Sequence, residues 1–167
     1  YLDAANHADE FVKSMWDDVN GKFFTGTLFN GDGFNTSVIP TDLQPWYLLA
    51  YNDRDSDFTR GYYWAIDSTY IDNHVHPSDP HIYKGFDFSL DTTLLLDGVW
   101  YEGTGQMATC ACWLGDTLFH QEILAEIEYV QTQGPRSNGR GIVAACHDHL
   151  TTGFSWEYHN ALHTGGA

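Results

Sequence analysis

Apolar residues recur at three-and-four spacing over residues 1–19, where Leu2, Ala5, Ala8, Phe11, Val12, Met15, Trp16 and Val19 share one face. That pattern predicts an amphipathic helix, ended by Asn20-Gly21. Residues 20–41 are turn-rich, and "NGDG" between two short apolar runs predicts a hairpin. Thr41 reads as the cap of a short apolar helix over 42–52, with Pro45 tolerated in its first turn. Further helices are predicted over 58–73, over 102–114, over 117–133 and from 156 onward.

Long and short connections alternate along the chain. Loops 20–41, 76–101 and 134–154 are long, whereas "NDRDSD" and Gly115-Asp116 are short. The unit recurs roughly every 55–60 residues, giving three repeats over 1–56, 57–116 and 117–167. One helix of each pair is charged on one face, and the other is nearly uncharged and rich in Ala, Gly, Cys and Trp. The second kind suits a helix buried on all sides. The predicted fold class is therefore all-α. It is an (α/α) toroid of helical hairpins with three hairpins present, half of a six-hairpin ring, and a small β-hairpin in the long loops. An ordinary six-helix bundle is the alternative.

Gly103, Gly105 and Ala108 satisfy the G-x-G-x-x-A spacing of dinucleotide-binding turns. That fold needs a second parallel strand about 20 residues later, ending in an acid. Residues 117–133 read as helix instead, so the fingerprint is coincidental and the glycines serve close packing.

Charge narrows the partners. The formal net charge is −16, from 23 acidic and 7 basic residues, which argues against nucleic acid or anionic lipid. Aromatics reach 16% and suit stacking on sugar rings as well as a large core. No apolar run approaches the length of a membrane span, and no signal peptide is visible. The chain starts without Met inside a predicted helix and stops at "HTGGA", which reads as a piece of a larger protein. Among the three cysteines, Cys110 and Cys112 point to different sides of one helix. Cys146 could pair with either, or all three could be buried thiols.

Glycoside cleavage needs a carboxylic acid to protonate the leaving oxygen and a second carboxylate as base or nucleophile. Asp42 and Glu102 each stand at the start of a predicted inner helix, at the end where the long loops converge. Glu102, flanked by the desolvating rings of Trp100 and Tyr101, is read as the acid and Asp42 as the base, the two lining one cleft. A plain helix-capping role is the alternative for each. Gln44, Gln106, Trp46 and Trp100 carry the groups that hydrogen-bond or stack on sugars, with core duty the alternative for Trp46.

The segments "GKFFTGT", "DLQPWYLLAY", "GVWYEGTGQMA" and "WEYHNALHTGGA" resemble the C-terminal half of six-hairpin glycosidase-like proteins. In that family D-x-Q-x-W and E-G-T-x-Q helix starts recur around the ring. The resemblance implies a secreted or cell-surface carbohydrate-active protein, a glycoside hydrolase acting through Glu102 and Asp42 on a polysaccharide or oligosaccharide. It implies sugar contacts at Trp46, Gln44, Trp100, Tyr101, Gln106, His147, Asp148 and His163. Neither cofactor nor metal is expected, membrane insertion is not expected, and the missing N-terminal half of the ring is the expected partner. A polysaccharide lyase stays open through Lys22, Lys84, Arg136 and Arg140 in the long loops, and so does a non-catalytic glycan-binding scaffold. Nine histidines also raise a zinc site, from His147 and His149, His159 and His163, or His74, His76 and His81, but no ligand motif of fixed spacing supports one.

Overall fold

The computed structural model describes residues 1–52, 54, 56–77 and 79–161. Its centre is a pair of helices, α4 (Tyr101–Leu114) and α5 (Thr117–Thr132), joined by Gly115 and Asp116. Gly115 adopts the left-handed conformation (φ 88°) that ends α4, and the Asp116 carboxylate accepts from the Phe119 N–H to start α5. The small residues Ala108, Cys110 and Ala111 bury one face of α4 against α5 and against α2 (Leu43–Tyr51). Helix α3 (Thr59–Thr69) closes this core with Tyr62 and Ala65, both fully buried, beside Leu48, Phe86, Met107 and Ile123. Helix α1 (Leu2–Ser14) contributes no buried residue, and Leu2, Phe11 and Val12 stay exposed.

Four antiparallel strand pairs wrap the helices. Trp16–Asp17 (β1) pairs with Lys22–Phe23 (β2), Val38–Pro40 (β3) with Ser89–Asp91 (β6), Tyr70–Val75 (β4) with Ile82–Phe86 (β5), and Leu150–Thr151 (β7) with Glu157–Tyr158 (β8). The β3–β6 pair ties loop 20–41 to loop 76–101. In β4, Ile71 faces Gly85 while His74 faces Tyr83, so one extra residue is bulged out of that strand. Since side chains alternate along a strand, the bulge turns His74 onto the same face as Ile71.

The fold is mixed α/β and corrects the expectation of an all-α toroid of hairpins. The helix expected over 58–73 ends at Thr69. There Tyr70 turns extended (ψ 135°), and the Thr69 hydroxyl folds back onto the Ala65 carbonyl. Loop 76–101 holds two strands, β5 and β6. The described part of the helix expected from 156 is hairpin instead, because Trp156 and Tyr158 pack their rings on Phe88. Thr41 is not the cap of α2: its hydroxyl, fully buried, bonds Thr69 Oγ1 and the Asp87 carbonyl, and Asp42 takes the cap position. The predicted "NGDG" hairpin is present, with Thr27 bridged to Phe34. Among the described residues no helix is long and apolar enough to cross a membrane.

Candidate active site

Asp42 and Glu102 mark the N-termini of two helices that pack together, Asp42 as the cap of α2 and Glu102 in the first turn of α4. Asp42 is half-buried, and its carboxyl is held above the usual carboxylate range. Burial is the main cause and the nearby negative charge of Glu102 the second, with the Leu43 backbone N–H offsetting part of both. Glu102 is exposed. The charge of Glu102 thus reaches Asp42 across the α2–α4 seam. Tyr158 joins them from β8: burial, then the charges of Glu102 and Asp42, raise its hydroxyl above the ordinary phenol range.

An aromatic wall backs this group. Trp100, the cap of α4, lies nearly parallel to Tyr158 with ring centres 5.7 Å apart, and Phe88 sits 4.7 Å from Trp100. Trp156 contacts both Phe88 and Tyr158 and is about half exposed. It also lines a cavity of about 710 Å³ whose rim carries Asp91, Asp97, Glu157 and His159. Neither Asp42 nor Glu102 lines that cavity, which meets the aromatic wall at Trp156. Trp46 stands one helical turn after Asp42, on the same side of α2, with 58% of its surface exposed.

Other residues expected at the sugar have structural duties. Gln44 is 0% exposed, and its amide is spent on the backbone of Phe23. Trp100 is buried within the wall. Tyr101 is buried too, its hydroxyl donating to Glu126, which also meets His81 Nε2 at 2.9 Å. Gln106 lies one turn below Glu102, with its Oε1 buried and without a hydrogen-bond partner among the described residues. His147 has both ring nitrogens at backbone carbonyls, those of Asp97 and Asp148. The Asp148 carboxylate is taken up by Arg136 and by the Asn160 N–H. His163 lies outside the described residues.

The bases that a lyase would use to neutralise a uronate are mostly spoken for. Lys22 pairs with Asp17, Lys84 with Glu122 and Arg136 with Asp148.

Sequence patterning missed Tyr158, Phe88 and Trp156, since residues from 156 onward were read as helix. It also missed a buried acid, Asp87, beside the half-buried Asp97. Asp87 is 2% exposed, and burial, then the charge of Asp97, pushes its carboxyl up to about 7. All three cysteines are free, Cys110 and Cys146 buried and Cys112 exposed. Of the two glycines of the G-x-G-x-x-A string only Gly103 serves close packing, since a Cβ there would run into the Trp100 ring; Gly105 has open space beside it, which corrects the expectation for that position. No family model, curated protein or solved structure matches this chain.

Proposed function

We propose that this protein cleaves glycosidic bonds in a polysaccharide or oligosaccharide met outside the cell, with Asp42 and Glu102 as its working carboxylates. The observation that carries the reading is their placement at the starts of two packed helices, Asp42 half-buried and Glu102 exposed. Two carboxyl groups in such different surroundings can divide acid and base duty between them. Asp42, half-buried and raised, holds the proton and delivers it to the glycosidic oxygen as the bond from the anomeric carbon breaks. Glu102, exposed, takes the proton of the attacking water and supplies negative charge to the oxocarbenium-like transition state. This reverses the roles that the flanking aromatics suggest from sequence, because Trp100 and Tyr101 turn inward and leave Glu102 in solvent. Exposed Trp46 and Trp156 offer flat apolar faces to sugar rings, and the likeness of the Asp42 and Glu102 segments to glycosidase motifs supports the same reading.

The test compares Asp42→Asn and Glu102→Gln on a natural glycan and on an aryl glycoside. Each variant should lose about 10²–10⁴-fold on the glycan. The aryl leaving group departs without protonation, so it should restore Asp42→Asn and not Glu102→Gln. Restoration of Glu102→Gln alone would reverse the roles, and activity of both variants within a few-fold of wild type would refute the site.

A further inference from the structure

We propose that His74, Cys146 and His147 form a transition-metal site for a borderline-soft divalent ion, Zn²⁺ being the ion their two-nitrogen, one-sulfur donor set suits. The three offer ligand atoms that all lie within 4.8 Å of one another. Tetrahedral zinc, with bonds of about 2.0–2.3 Å, needs ligand atoms roughly 3.3–3.7 Å apart, so closure asks for side-chain movements of about 1 Å.

Local structure brings the three together. The bulge in β4 turns His74 toward the face of Ile71 and Tyr83, where its Nε2 is buried and has no hydrogen-bond partner among the described residues. A buried orphan imidazole nitrogen is costly unless something occupies it. The His74 and His147 rings stack with centres 5.1 Å apart. Cys146 and His147 are set by a short ladder in which Trp100 bridges Ala145 and the Cys146 N–H donates to the Val99 carbonyl. The Val99 N–H in turn donates to Cys146 Sγ at 3.1 Å, an outer contact that favours a thiolate. Gly98 leaves the space: a Cβ there would stand 2.5 Å from His147 Nε2 and 3.0 Å from Cys146 Sγ. A cavity of about 130 Å³, lined by Cys146, His147, His76 and Asp148 among others, supplies a path for the ion and a fourth ligand.

The protonation states fit. The Nε2 of His74, buried with no hydrogen-bond partner among the described residues, keeps a lone pair available. His147 donates from Nδ1 to the Asp148 carbonyl at 2.6 Å, which leaves the Nε2 lone pair for metal. Nε2 must then exchange its 2.7 Å contact with the Asp97 carbonyl for the ion. The Cys146 thiol is buried, so the ion itself has to displace its proton. As the S–Zn bond forms the proton leaves to solvent, and nothing is oxidised. Copper suits the donors less well: the axial thioether of a blue-copper centre is missing, since Met107 and Met15 belong to other clusters.

Metal-stripped protein would be titrated with Co²⁺ as a spectroscopic probe and then with Zn²⁺ in competition. One ion should bind per chain, with a thiolate-to-cobalt band in the near ultraviolet and about one proton released per ion at neutral pH. Cys146→Ser should abolish the band. His74→Gln should weaken Zn²⁺ binding by more than the roughly 10–100-fold that loss of an outer contact costs. His149→Ala should leave both unchanged, since His149 belongs to a separate exposed group with Glu157 and His159. Circular dichroism would confirm folding, and His74→Gln decides the matter if Cys146→Ser does not fold. A wild-type chain with no saturable thiolate band, a band that survives Cys146→Ser, or binding lost in His149→Ala and kept in His74→Gln would each overturn the site.

Discussion

Gln44 grips the backbone of Phe23 with both ends of its amide. Its Oε1 accepts from the Phe23 N–H at 2.8 Å, and its Nε2 donates to the Phe23 carbonyl at 3.1 Å. The side chain thus pins β2 to α2 as a neighbouring strand would. Gln44→Ala would strand a buried N–H and a buried carbonyl, each costing about 1–3 kcal/mol. Urea unfolding should show a loss of roughly 3 kcal/mol, while any affinity of the folded variant for the proposed glycan substrate should stay as in the wild type. A drop in affinity without a drop in stability would contradict the structural role.

The coupling between Asp42 and Glu102 can be read without turnover. Removing the Glu102 charge by Glu102→Gln should lower the Asp42 titration midpoint toward the usual carboxylate range, since a like charge is one cause of its elevation. Side-chain carboxyl carbon shifts followed by NMR report it directly. The midpoint should remain somewhat raised, because burial is the larger cause. An unchanged midpoint would mean that the two do not share a site.

Asp87 makes stability depend on pH. Its folded-state value of about 7 lies above the ordinary 3.8, so between these limits the native protein binds the extra proton. The contribution is fully present below about pH 4 and is lost as pH rises through 7, up to roughly 4 kcal/mol. Asp87→Asn should flatten that slope. It should also cost about 1–3 kcal/mol, because both carboxylate oxygens accept backbone N–H groups, from Phe88 and Asp97, and an amide satisfies only one. Thermal unfolding from pH 4 to 8 would check both effects.

Two glycines of α4 should respond with opposite signs. Gly103→Ala drives a methyl into the Trp100 ring and should destabilise by about 1–3 kcal/mol, with a change in tryptophan fluorescence. Gly105 has nothing within 4 Å of an added Cβ and sits inside the helix. Gly105→Ala should therefore stabilise by about 0.5–1 kcal/mol.

Helices α4 and α5 were legible because each repeats its period over several turns, whereas the helix expected over 1–19 stops at Ser14, short of strand β1, and the one over 58–73 stops at Thr69. Ile123 and Val130, two turns apart on α5, are buried, and so are Met107, Ala108 and Ala111 on α4. The strands were not legible. β1, β2, β7 and β8 are two residues each, too short for alternation to register, and the β4 bulge breaks what alternation there is. The positions of Asp42 and Glu102 at helix starts could be read from the chain; which one is buried could not, because that depends on where Trp100 turns its ring. Gln44 illustrates the general difficulty: an amide suits a sugar and a backbone equally well, and only burial separates them.

The pairing of Pro40 with Ser89 joins positions roughly fifty residues apart, a closure that a folding chain completes only after its local contacts form. The α4–α5 hairpin, linked by two residues, is free to assemble first. Glu102 belongs to that local hairpin, whereas Asp42 reaches it only through contacts distant in sequence. The carboxylate pair therefore depends on long-range closure, through the β3–β6 pair and the packing of α2 on α4. A substitution that weakens β3 should disturb the placing of Asp42 beside Glu102 more than it disturbs the α4–α5 hairpin.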